Sequence, residues 1–139
     1  MPAVAITDYT FADLAIEEAC LDADDVVLTG GQCKTTETLI PFVRDADAVI
    51  TQFAPVNADV IAAMSRSLVI VRYGIGVDNV DLDAARKLGI PVCNVPDYCI
   101  DEVADHTLAF ILASTRLVVS NSVLIRDGGW GLGGTLEQL

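Results

Sequence analysis

The sequence predicts an α/β domain: a five-stranded parallel sheet with helices on both faces, continued by one long C-terminal helix. Three observations carry that prediction. Short apolar runs rich in β-branched residues alternate with segments of helical spacing from Ala3 to Val95. The runs are apolar throughout instead of alternating with polar residues, the pattern of strands buried on both faces of a parallel sheet. After Pro96 the rhythm changes, and no Gly or Pro interrupts the chain from Asp101 to Arg126.

The strand candidates are Ala3–Ile6, Val26–Thr29, Ala48–Thr51, Leu68–Arg72 and Val92–Val95. Helical spacing occupies Phe11–Cys20, Thr35–Val43, Ala58–Met64 and Leu82–Leu88 between them. Asp81 suits the N-cap of the last of these and Gly89 its C-terminal stop. Five strands in this alternation are what a flavodoxin-like layout requires. The stretch Asp101–Arg126 carries Asp101, Glu102 and Asp105 in its first turns and Arg126 in its last, as the helix dipole favours. It predicts one helix of roughly 39 Å. Its apolar residues nearly encircle it, so it is expected to be sandwiched between lobes or between subunits.

The chain is 139 residues long with 53% apolar residues, enough for one domain with its own core and too apolar for disorder. The net charge of −12 opposes binding to phosphate backbones and to anionic membrane surfaces. It could also mark a salt-adapted source. The uncharged run Thr107–Thr115 is far below the ~20 residues that span a bilayer. The N-terminus has no basic stretch and meets Asp8 early, so no signal peptide is predicted. Cys20, Cys33, Cys93 and Cys99 form no CxxC pair and read as reduced thiols of a cytoplasmic protein.

The most informative segment is Leu68 to Pro96, LVIVRYGIGVDNVDLDAARKLGIPVCNVP. A strand ends at Arg72, Gly74-Ile75-Gly76 turns the chain, and the next helix starts about five residues on. Such a turn beyond the carboxyl end of a parallel strand is where open α/β sheets bind ligands. Consecutive peptide N–H groups there can make an anion nest, and Arg72 could add a bidentate partner for a carboxylate. The same glycines would equally serve a bare βα turn, and Arg72 could instead pair with Asp78. Asp78 and Asn79 are expected to brace the turn.

This segment, with DEVADHTLAFIL after it, resembles the D-isomer-specific 2-hydroxyacid dehydrogenases, above all their phosphoglycerate dehydrogenase-like and C-terminal-binding-protein-like members. The resemblance rests on Gly-x-Gly-x-Asp-Asn, Gly-Ile-Pro-Val-x-Asn-x-Pro and Glu-x-Ala-Asp-x-Thr, and runs from about Asp47 onward. It implies oxidoreduction between 2-keto acids and D-2-hydroxy acids with NAD or NADP. It implies a flavodoxin-like substrate lobe (1–99), an interlobe and dimerisation helix (100–127) and a Gly-rich loop (128–139) leading to a Rossmann coenzyme domain. The peptide N–H groups of Ile75 and Gly76 would hold the substrate carboxylate, Arg72 would contact the keto acid, and Gln52 would close the other side. Ile75 and Thr107 match positions near the nicotinamide half of the cofactor. A homodimer would form through the 101–126 helix.

The same resemblance puts the dinucleotide-binding glycine motif, the catalytic Arg and its Glu–His pair beyond Leu139. No catalytic residue is therefore assigned here. The chain alone is expected neither to turn over nor to bind the cofactor tightly. Gly129-Trp130-Gly131-Leu132-Gly133-Gly134 does spell G-x-G-x-x-G, but a helix precedes it where the motif needs a strand, so it reads as a post-helix loop. His106 has no nucleophile or acid arranged around it and reads as a packed or surface histidine. Cys93, within a predicted strand, is expected in the core, and no metal site is predicted because no zinc spacing occurs. Two rival readings remain. One is a non-catalytic dimerising or regulatory module of the same family. The other is a phosphoacceptor receiver domain with Asp8 after its first strand. The third strand ends Ile50-Thr51-Gln52 without an acceptor Asp, which removes the second rival.

Overall fold

A computed structural model of the chain describes residues 1–21 and 25–130. They divide into two compact units, one of residues 1–98 and one from Cys99 onward. In the first unit five strands, β1 (Ala3–Ile6), β2 (Val27–Gly30), β3 (Ala48–Thr51), β4 (Val69–Arg72) and β5 (Val92–Cys93), form one sheet in the order β2-β1-β3-β4-β5. Every pairing is parallel, so the five-stranded parallel sheet expected from the sequence is what forms. Helices α1 (Ala15–Leu21), α2 (Thr36–Val43), α3 (Ala58–Ala63) and α4 (Leu82–Leu88) connect the strands. Because parallel crossovers are right-handed, the β1–β2 connection puts α1 on one face and the later connections put α2, α3 and α4 on the other.

The register explains the core. Ala5, Val49, Ile70 and Val92 pair across β1, β3, β4 and β5, so they share one face. Leu39 and Val43 of α2, Val60 and Ile61 of α3 and Ala85 of α4 are buried in the same cluster. The helix starts are fixed locally. Asn57 accepts a hydrogen bond from the Val60 N–H (3.1 Å) and Asp81 from the Ala84 N–H (2.9 Å). Gly89 ends α4 at φ 71°, the left-handed conformation a helix stop favours.

The next row, Ile6, Ile50, Val71 and Cys93, faces the α1 side. Cys93 is exposed, contrary to the expectation that it packs in the core. It belongs to β5, an edge strand of the sheet. α1 itself starts four residues later than its spacing suggested, and β5 is two residues long instead of four.

The second unit corrects another expectation. The single helix expected over Asp101–Arg126 is two, α5 (Ile100–Thr115) and α6 (Val118–Arg126), bent by 60° at their junction. The Thr115 hydroxyl donates back to the Ile111 and Leu112 carbonyls, which bends helices. Leu117 sits at φ 52°, its N–H turned three residues back to the Ser114 carbonyl, and β-branched Val118 and Val119 follow. The near-complete apolar girth is real: Val103, Leu108, Phe110, Ile111 and Leu112 on α5 and Val119 and Ile125 on α6 are all exposed. Among the described residues no single helix is long and apolar enough to cross a membrane. Of the 128–139 loop, residues 131–139 lie outside the described residues, and with them most of the G-x-G-x-x-G stretch.

Candidate functional site

In a parallel sheet every strand points its carboxyl end to the same edge, and here that edge gathers Asp8, Gly31, Gln52, Tyr73 and Asn94. The mouth of β4 is the most elaborated part. After Arg72 the Tyr73 N–H donates to the Thr51 carbonyl (2.9 Å), carrying the β3–β4 ladder one step further. The chain then turns at Gly74, whose φ of 133° excludes a side chain without strain. A Cβ at Gly74 would also run into Arg72 Nη1, so the guanidinium lies directly against this bare turn.

Two neighbouring segments pin the turn by its carbonyls. The Val95 N–H donates to the Gly74 carbonyl (3.0 Å), and Asn94 Nδ2 donates to the Ile75 carbonyl (2.8 Å). Among the described residues the N–H groups of Ile75 and Gly76 donate to nothing, and both residues are exposed. Asn79 braces the turn from below. Its Nδ2 donates to the Ala54 carbonyl (3.0 Å), and the Val56 N–H bonds the Asn79 carbonyl (2.8 Å). Asp78 does not share that bracing role, and its Oδ1 would lie 3.1 Å from a Cβ at Gly76.

Arg72 reaches across to β3. Its Nε donates to the Gln52 carbonyl (3.2 Å), and its guanidinium carbon lies 5.7 Å from the centre of the Phe53 ring. It forms no ion pair with any described residue, so Asp78 is not its partner. Gln52 is buried, and its Oε1 has no hydrogen-bond partner among the described residues. A buried amide left with an unmet acceptor next to a free cation is the character of a site awaiting a polar ligand.

The sequence-expected residues Arg72, Gln52, Ile75 and Gly76 therefore belong to one neighbourhood. Thr107 lies on α5 in the second unit, its hydroxyl donating to the Val103 carbonyl (2.7 Å). His106 stacks edge-on against Phe110 with ring centres 4.4 Å apart.

Four side chains of this edge had no part in the substrate site read from the sequence. The Tyr73 hydroxyl donates to Glu17 Oε1 (2.8 Å), and Phe11 packs edge-on against its ring at 5.3 Å. Burial, with the Glu17 carboxylate alongside, raises the Tyr73 phenol above its ordinary pKa. The fourth is Asp8, which is 7% exposed and accepts hydrogen bonds from the peptide N–H groups of Gln52 (3.0 Å), Phe53 (2.8 Å) and Ala54 (3.1 Å). The signal for it was an acid directly after the first apolar strand, where a parallel sheet opens.

The catalytic-domain model of the D-isomer specific 2-hydroxyacid dehydrogenases matches residues 4–137, nearly the whole chain. The chain belongs to the D-isomer specific 2-hydroxyacid dehydrogenase family. A glyoxylate reductase of Pyrococcus furiosus is 35% identical over 95 residues, 68% of this chain and 28% of that protein. A D-3-phosphoglycerate dehydrogenase of Mycobacterium tuberculosis is 33% identical over 131 residues, 94% of this chain and 24% of that protein. The chain thus spans about a quarter of the length of these relatives. Among solved structures, the NAD+-bound 3-phosphoglycerate dehydrogenase of Entamoeba histolytica superposes with a TM-score of 0.69 at 30% identity, over 84% of this chain and 39% of that one. The family assignment therefore agrees with the motifs around the β4 turn, and the fold with the sheet order.

Proposed function

We propose that this chain is the substrate-binding portion of an NAD(P)-dependent D-2-hydroxyacid dehydrogenase, and that it grips a small 2-keto acid by its carboxylate at the mouth of β4. One observation carries the reading: Ile75 and Gly76, exposed residues whose peptide N–H groups have no partner among the described residues, follow the Gly74 turn, against which lies a guanidinium with no counter-ion among the described residues. Peptide donors and Arg72 together match a planar carboxylate, and charge-assisted bonds of this kind are the strong ones. The Gln52 amide, buried with an oxygen unmet among the described residues, is the proposed contact on the other side of the acid.

In the whole protein the nicotinamide would supply or accept the hydride, and Ile75 and Thr107 are this chain's proposed contacts to its nicotinamide half. The Thr107 hydroxyl hydrogen is already engaged by the Val103 carbonyl, which leaves its oxygen free to accept from an amide donor. What this chain's own residues contribute is orientation of the acid, the part of catalysis that comes from holding reactants in position. Tight binding of NAD or NADP to this chain by itself is not part of the proposal, nor is turnover. The reading carries a cytoplasmic location with it.

The test is a titration of the isotope-labelled chain with glyoxylate, the smallest 2-keto acid. The Ile75 and Gly76 amide signals are expected to move saturably, and Arg72→Ala to weaken the binding about tenfold, roughly the loss of one charged contact. Saturable movement elsewhere, or none anywhere, refutes the site.

A second reading, a dimerising or regulatory module, has its own observation: the apolar side chains of α5 and α6 lie exposed. Surfaces of that kind favour self-association. Light scattering on the eluting chain decides it, since a stable monomer would remove the interface role.

A further inference from the structure

Resting on the reading of Arg72 as a carboxylate contact, we propose that Asp8 is a positioning residue of this site: its buried carboxylate clamps the Gln52–Ala54 loop, and the clamped loop holds the Arg72 guanidinium in its pose. The order β2-β1-β3-β4-β5 reverses direction at β1, and the crevice between the carboxyl ends of β1 and β3 is where such sheets receive ligands. Asp8 stands in that crevice. Its Oδ1 accepts from Gln52 N and Ala54 N, and also from the hydroxyls of Thr7 (2.9 Å) and Thr51 (3.4 Å). Its Oδ2 accepts from Phe53 N. Three successive peptide N–H groups thus converge on one internal carboxylate, a nest already filled by the chain itself.

The consequence reaches β4 through two consecutive residues of the clamped loop. The Gln52 carbonyl receives Arg72 Nε, and the Phe53 ring lies under the guanidinium. A free arginine side chain samples many rotamers, and these two contacts select one. Asp8 is buried and its oxygens are occupied, so it has no surface left for a ligand. Its influence on the site runs through the clamped loop, which carries Gln52 and holds Arg72.

Asp8→Asn tests this. The amide keeps one acceptor oxygen and sets an NH2 group against the Phe53 N–H, so the clamp opens while the shape is kept. In the variant, with the fold checked by circular dichroism, the Arg72 Nε–H signal is expected to lose its protection against exchange with water. Glyoxylate binding is expected to weaken about tenfold, the cost of one misplaced charged contact. A folded variant with wild-type Arg72 protection and wild-type affinity overturns the proposal and leaves Asp8 a part of the fold only.

If the wild-type chain binds no glyoxylate, the substrate reading fails, and the Asp8 proposal is then decided by the Arg72 Nε–H signal alone. If D8N does not fold, the wild-type chain gives the answer. Its Asp8 carboxyl carbon and Arg72 Nε–H are followed together as pH is lowered, which separates Asp8 from the other acids. A shared midpoint supports the clamp, and an Arg72 signal indifferent to Asp8 protonation overturns it.

Discussion

The mouths of β3 and β4 are made of the same material and end differently. Each strand stops, the chain turns, and successive peptide N–H groups are bared at the carboxyl edge of the sheet. At β3 the N–H groups of Gln52, Phe53 and Ala54 close on the Asp8 carboxylate. At β4 the N–H groups of Ile75 and Gly76 close on nothing among the described residues. The first nest has its anion supplied by the chain and becomes structure. The second has its carbonyls pinned by Asn94 and Val95 and its donors left over, as the proposed carboxylate site requires. Arg72 stands between the two, fixed by the filled nest and leaning on the open one.

The sharpest way to break that contrast is to empty the filled nest. Asp8→Ala leaves three peptide donors without their acceptor in a buried place, while the Thr7 and Thr51 hydroxyls keep the Ile50 and Ala54 carbonyls within reach. Each bared donor costs about 1–3 kcal/mol, so the loss should be about 3 kcal/mol or more, read from the urea midpoint. Acid should do the same more gently. Burial by itself raises the Asp8 pKa, but the bonds from Gln52, Phe53, Thr7 and Ala54 outweigh it, and the carboxyl ends below its ordinary value. The unfolded chain then takes up the proton first. The contribution of Asp8 is therefore full above the ordinary carboxylate pKa of about 4 and is lost as pH falls through the lower folded value. Urea midpoints measured from neutral pH downward should fall in the wild-type chain, and part of that fall should be missing from Asp8→Ala.

Next in size is an attack on the open nest. Gly74→Ala must hold φ 133° with a side chain and drive a methyl group into Arg72 Nη1. Strain of that kind costs about 1–3 kcal/mol, and displacement of the guanidinium should also abolish most glyoxylate binding. Gly89→Ala is the control. Gly89 also has positive φ, at 71°, but nothing lies within 4 Å of the added methyl. It should lose about 1 kcal/mol and bind as before. Equal loss of binding in both variants would mean that the β4 turn responds to general destabilisation and not to the geometry of Arg72.

How much of this was legible in the sequence follows the range of the forces involved. The β-branched runs declared the strands, and Asp81 and Gly89 declared the bounds of α4, because each acts within a few residues. The glycine turn and Arg72 were readable as a group, since a strand end and the turn after it are contiguous. Asp8 was visible only as an acid after a strand. Its partners lie more than forty residues away, and only the strand order brings them together. Cys93 was misplaced for the complementary reason. Its apolar neighbours signal a buried strand, whereas its exposure goes with the place of β5 at the edge of the sheet, which only the strand order decides. The bend at Leu117 arises from a hydroxyl back-bond and a run of β-branched residues, small local preferences that a strong apolar periodicity masks.

The smallest predicted effect probes the open nest from its unfavourable side. Asp78 brings Oδ1 near Gly76, so an anion entering the turn meets a like charge. The residue is exposed and water screens it, so the repulsion is worth only a fraction of a kcal/mol. Asp78→Asn should tighten glyoxylate binding about twofold, and added salt should narrow the gap between variant and wild type, because screening removes the same term. The sign is what matters. If the variant binds more weakly, Asp78 supports the turn instead of opposing the ligand, and the N–H groups of Ile75 and Gly76 depend on it for their orientation. If it binds more tightly at low salt, the ligand enters as an anion at Gly76. The contrast between a nest with its own carboxylate and one that admits a foreign carboxylate then has a measured electrostatic sign.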